Sequence, residues 1–139
     1  MYRMFMIIIL IMFMAIPSMA RDSRAANVTG EWIIYEQGLD LVAARLYQRG
    51  GKLYGAISHL YGDFPVRCYH CKGSKHNRRI LGMRIIKGMI WSKGRWRGKV
   101  LYPAEDRWYP CSLWRQGSRL MAEVCIGGSC KIRKLKRFR

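Results

Sequence analysis

Arg95-Trp96-Arg97-Gly98-Lys99-Val100 sets a base against an uncharged residue at every step. Such alternation describes an extended segment with one wet face and one packed face. Trp96 and Val100 are therefore expected to point inward from a strand. The same pattern extends outward along the chain. Arg49-Gly50-Gly51-Lys52 separates the runs 41–47 and 53–60, and Gln116-Gly117-Ser118-Arg119 separates 111–114 from 120–126. Both are short glycine-bearing turns between β-compatible runs, which is how a hairpin is written in sequence.

Eight runs of this kind stand near Trp32, Val42, Ala56, Ile85, Trp91, Val100, Leu113 and Val124, with a ninth near Ile132. No long helical period interrupts them. The spacing predicts an all-β fold, a small antiparallel up-and-down meander of about eight strands. An open meander leaves edge strands unpaired, and closing it into a barrel removes them, so a barrel over residues 30–133 is expected. The stretch 61–79 has no strand character, and a long connection inside a small domain is often functional. The last nine residues carry six bases, Lys131, Arg133, Lys134, Lys136, Arg137 and Arg139, around Leu135 and Phe138. Residues 134–139 are expected to form a basic tail outside the barrel.

At the other end, Arg3 precedes thirteen apolar residues, Pro17 breaks the run, and Ser18-Met19-Ala20 puts small residues where a signal peptidase cuts. Thirteen residues reach about 20 Å as a helix, short of the roughly 30 Å hydrocarbon core. Residues 1–20 are expected to be a cleaved signal peptide and 21–29 a linker. The formal net charge is +18 on 139 residues. That charge favours anionic surfaces such as lipid headgroups and lipopolysaccharide. An exported chain is separated from most nucleic acid, so nucleic acid is not an expected partner.

All five cysteines, Cys68, Cys71, Cys111, Cys125 and Cys130, lie beyond the signal segment. An oxidising compartment permits disulfides among them, with at least one left over. Cys111 and Cys125 flank a hairpin, a three-residue loop would bring them opposite, and a bridge between them is expected. A two-residue loop would instead pair Leu113 with Ala122 and set Cys111 beside Val124. His59, Cys68, His70, Cys71 and His76 gather every histidine and the single Cys-x-x-Cys within eighteen residues. This set admits a zinc site, a local or cross-loop disulfide, free structural thiols or a redox dithiol. The zinc-knuckle pattern breaks at Leu81, and Lys72-Gly73-Ser74-Lys75 does not open the helix that a redox dithiol needs. No nucleophile with a base and an orienting acid emerges, and Glu105-Asp106 reads as a solvated turn. No catalytic residue and no cofactor are expected.

Several ordered motifs carry a family resemblance: Gly30-x-Trp32, the segment from Gly50 through Ile57, Cys68-x-x-Cys71-Lys72-Gly73, Ile80-Leu81-Gly82-Met83, Trp96-x-Gly98-Lys99, Pro103 and Tyr109-x-Cys111. In this order they resemble the small exported bacterial proteins catalogued as domain of unknown function 2147, which look like a lipocalin-type, or calycin, barrel. The resemblance implies the periplasm or envelope of a Gram-negative bacterium. It also implies that Trp32 closes the barrel floor beneath an arginine of the last strand, for which Arg133 is the expected partner. Trp32, Tyr54, Trp96 and Tyr109 are the expected lining of a cavity, or the plug that fills it. The expected function is non-catalytic binding of a small apolar ligand. The alternative is adhesion of a cationic protein to anionic lipid or lipopolysaccharide through the basic C-terminal residues.

Overall fold

The computed structural model describes residues 26–138. The expected signal peptide, most of the linker and Arg139 lie outside the described residues. Eight strands follow one another: β1 (Gly30–Glu36), β2 (Leu39–Arg49), β3 (Lys52–Leu60), β4 (Arg84–Ser92), β5 (Arg95–Tyr102), β6 (Arg107–Gln116), β7 (Arg119–Ile126) and β8 (Ser129–Arg137). Each pairs antiparallel with its sequence neighbour, and β8 pairs with β1 to close the barrel.

The two expected hairpins are present, with Arg49 opposite Lys52 and Gln116 opposite Arg119. The first turns through Gly50 and Gly51 at φ 59° and 74°, a left-handed pair that only glycine adopts at little cost. The runs near Ile85 and Trp91 are one strand rather than two. Pairing of β3 with β4 slips at Leu53/Tyr54 and again at Gly55/Ala56, so neighbouring Ile85 and Ile86 are both buried. That slip breaks the alternation and makes one strand read as two. The run near Ile132 supplies the eighth strand.

The C-terminal boundary also moves. β8 continues to Arg137, so Lys134, Leu135, Lys136 and Arg137 are barrel wall and not a tail. Leu135 is buried, Trp32 and Ile33 face Arg137 and Lys136 across the closing seam, and the Phe138 amide donates to the Glu31 carbonyl at 3.0 Å. Three of the bases assigned to anionic surfaces are occupied within the fold. Arg133 pairs with Glu36 at 3.2 Å, Lys136 pairs with Asp40 at 2.7 Å, and Arg137 lies over Trp32. Lys131 and Lys134 are exposed.

Gly98 permits β4 and β5 to approach, because a β-carbon there would stand 2.8 Å from Met89 Cγ. Around it, Trp96, Met89 and Leu113 fill the lower half of the barrel, as the alternation of β5 predicts for Trp96.

Candidate functional site

The two ends of the barrel differ. At the closed end, both core tryptophans hand their indole N–H groups to the segment preceding β1. Trp32 donates to the Val28 carbonyl at 2.9 Å and Trp96 to the Ala26 carbonyl at 2.8 Å. Val28 is fully buried, so residues 26–28 are a floor plug rather than part of a linker. The Arg137 guanidinium lies 4.3 Å from the Trp32 ring centroid and donates to the Thr29 carbonyl at 3.1 Å. A side chain at Gly30, which sits at φ 121°, would collide with that guanidinium, and this explains the glycine of Gly30-x-Trp32. The floor arginine is thus Arg137, not the expected Arg133. One residue type was right, but its position fell within the strand extension that the sequence had concealed.

The opposite end is open. A cavity of about 380 Å³ lies at the mouth and adjoins a deeper pocket of about 100 Å³ across a belt that both share: Ile34, Ile85, Val100, Leu135, Tyr102 and Arg133. The deeper pocket ends on Trp32. Below the rim the wall is mostly aliphatic. Polar groups collect at the mouth, where Arg133 meets Glu36 beside the Tyr102 phenol. Burial pushes the Tyr102 hydroxyl above its ordinary pKa, so it stays protonated and able to donate at neutral pH.

Of the four aromatic residues expected in a cavity, only Trp32 lines it. Trp96 is inward but belongs to the floor. Tyr54 points outward and stacks on Tyr47 at 5.7 Å, because Leu53, Gly55 and Ile57 take the inward positions of β3. Tyr109 stands at the rim, where its hydroxyl donates to Glu105 at 3.3 Å and its ring braces Tyr102 edge-on at 5.0 Å. Tyr102 was missed, although extending the β5 alternation two residues beyond Val100 reaches it.

The connection 61–83 packs against the rim. Cys68 and Cys71 are bridged and buried, with their sulfurs toward the Ala104 and Pro103 carbonyls of the β5–β6 turn. Phe64 reaches the cavity mouth. The five residues considered for a metal do not converge. The two thiols form a disulfide, His76 Nδ1 lies 3.0 Å from the Cys71 carbonyl oxygen, and His59 packs on Tyr61 and Phe138. Among the described residues, one acid and thiol group is close enough to share an ion, Glu123, Cys125 and Cys130, and its sulfurs are bonded to each other.

The second bridge is therefore Cys125–Cys130, not Cys111–Cys125. The β6–β7 turn takes the two-residue form, which pairs Leu113 with Ala122 and Cys111 with Val124. Cys125 then faces outward, opposite Cys130 on β8. Cys111 is a free thiol inside the barrel, against the deeper pocket, and burial raises its pKa to about 12.

No match is found among curated proteins. Among solved structures, the chain is similar to the Helicobacter pylori protein HP1028, described as belonging to the lipocalin family. The TM-score is 0.68 at 15% identity, covering 80% of this chain and 82% of that one. At that identity the likeness establishes a shared fold, the closed eight-stranded lipocalin-like barrel. The model of the family described as uncharacterized protein conserved in bacteria, DUF2147, matches residues 30–137, the span from the first residue of β1 to the last of β8, and the chain belongs to that family.

Proposed function

We propose that this protein is an exported, non-catalytic carrier that holds a small, elongated and largely apolar molecule in the barrel funnel. One observation carries the reading: a largely apolar cavity of about 380 Å³ opens at one end of a barrel whose other end is plugged. That volume falls in the range of small-molecule sites, which join apolar walls to a few placed polar groups. The ligand's apolar part descends past Val100 and Leu135 toward Trp32. Its polar end stays at the mouth, beside Tyr102 and the Arg133–Glu36 pair. The likeness to a lipocalin-family barrel supports a binding role, and the composition of residues 1–20 supports export.

Titration with a fluorescent long-chain fatty acid tests the reading. The protein is expected to bind it, and Val100→Trp, which fills the shared belt, to weaken binding at least about tenfold, a change of about 1.4 kcal/mol. The thermal midpoint should stay close to that of the parent. Equal binding by parent and variant would place the ligand outside the funnel. Absence of binding, together with no retained small molecule in native mass spectra of envelope-purified protein, would reject the carrier.

A further inference from the structure

Seven large apolar side chains are exposed among the described residues. Six of them, Leu39, Val66, Tyr69, Leu81, Ile126 and Ile132, belong to the open half of the barrel, and Ile90 alone does not. Scattered exposure of this kind is ordinary, whereas gathering at one end marks an interaction surface. The same end is strongly cationic. The connection 61–83 bears Arg67, Lys72, Lys75, Arg78 and Arg79 against one acid, Asp63, and Arg84 follows at once. All six bases are exposed. Lys75 alone is ion-paired with a described acid, Asp106 at 3.3 Å. Of the other rim acids, Glu36 and Asp40 are engaged by Arg133 and Lys136, and Glu105 accepts from Tyr109.

We propose that this open end, chiefly the connection 61–83, docks on an anionic phospholipid bilayer. Its bases meet lipid phosphates, Val66, Tyr69 and Leu81 enter the headgroup layer, and the cavity mouth faces the membrane. Charge complementarity selects an anionic surface, and the exposed aliphatic side chains select a bilayer over a polyanion, which offers them nothing apolar to enter. The connection is already built for contact. Cys68 and Ile80 are fully buried anchors. The Cys68–Cys71 bridge ties its middle, and hydrogen bonds donated by the Cys68 amide to the Arg78 carbonyl at 2.8 Å, the Asn77 amide to the Cys68 carbonyl at 2.8 Å and the Ile80 amide to the Val66 carbonyl at 3.0 Å hold its two limbs together. A preformed surface loses little conformational freedom on docking. The interface thus lies on the connection at the mouth and not on the C-terminal bases, of which Arg133, Lys136 and Arg137 are engaged within the barrel.

Co-sedimentation of the ligand-free protein with phosphatidylglycerol–phosphatidylcholine vesicles tests this, with fatty-acid binding and circular dichroism followed on every variant. A base near such a surface contributes about fivefold in affinity. The triple variant Lys72→Glu, Arg78→Glu, Arg79→Glu is expected to lose about 100-fold or more at about 0.1 M salt, while keeping its fold and its fatty-acid affinity. The charge-matched control Arg49→Glu, Lys52→Glu, Arg119→Glu alters turns at the closed end, about 20 Å away and beyond the Debye length of about 10 Å at 0.1 M salt. It should bind nearly as the parent does. Tyr69→Ser with Leu81→Ser should remove the binding that survives at high salt. Equal losses in both triples would mean unspecific charge adhesion and overturn the proposal. Full binding by the first triple would overturn it too, as would binding to single-stranded RNA or heparin without binding to vesicles. A carrier that fails its own fatty-acid test can still pass this one, so the two readings fail separately.

Discussion

Removing residues 134–139 should open the barrel. The deletion takes away Leu135, whose side chain is buried at the shared belt of the funnel, worth about 2–3 kcal/mol in burial and cavity terms. It removes the Arg137 guanidinium over Trp32 at 4.3 Å and its hydrogen bond to the Thr29 carbonyl, together about 1–2 kcal/mol. The backbone bonds of the β1–β8 seam and the Phe138–Glu31 bond go as well, at about 1 kcal/mol each. The Lys136–Asp40 pair is about half exposed on the lysine side and adds only a few tenths. The loss is at least about 5 kcal/mol, which is the whole stability of many domains. Urea unfolding followed by tryptophan fluorescence reads this directly, since Trp32 and Trp96 pass from buried to solvated. The truncated protein should show no cooperative transition. Arg137→Ala should keep one, weakened by about 1–2 kcal/mol, or about 4–8 °C in thermal midpoint. A truncated protein that unfolds at the same urea concentration as the intact one would refute the closure of the barrel by β8.

A non-reducing peptide map should link Cys68 to Cys71 and Cys125 to Cys130, and unreacted thiol should be found on Cys111 alone; a Cys111–Cys125 peptide would contradict the register of β6 on β7. Burial holds the Cys111 thiol neutral in the folded state to about pH 12, whereas in the unfolded chain it ionises from about its ordinary value of 9.0. Stability of the parent relative to Cys111→Ala should therefore be fully present below pH 9 and fall as pH rises toward 12, by up to about 4 kcal/mol; parallel pH profiles for the two proteins would contradict a dry site. Gly98→Val should cost about 1–3 kcal/mol by driving a side chain into Met89, and adding Met89→Ala should recover part of it; a stability equal to the parent's would show that the two strands do not approach as described.

The strand pattern was legible wherever alternation and turn chemistry agreed. β5 announces its inward face through Trp96, Gly98 and Val100, and both expected hairpins turn at their glycines. β4 was split because a double slip against β3 buries two consecutive isoleucines. β8 was hidden for a different reason. Its inward positions hold Lys131, Arg133, Leu135 and Arg137, so a single apolar residue marks a face that completes the barrel with a cation over Trp32. That same omission displaced the floor arginine from Arg137 to Arg133 and made barrel wall look like tail. The cavity was half legible. Searching for aromatic residues found Trp32, but four of the six belt residues are aliphatic and Tyr102 is its one aromatic member, and the parity of Leu53, Gly55 and Ile57 already turned Tyr54 outward. The cysteine pairing depended on one residue of loop length, which composition does not specify.

Seven of the eight seams join neighbours in sequence, and the eighth joins the first strand to the last. The contact that completes it, from Arg137 to the Thr29 carbonyl, spans 108 positions. A nascent chain can therefore lay down its hairpins as they emerge, yet remains an unclosed ribbon with a bare β1 edge until β8 is released. Ring closure of such range is the slow event in folding. A ribosome that stalls before Leu135 would leave not a weaker barrel but an exposed strand edge, a template for pairing with other chains.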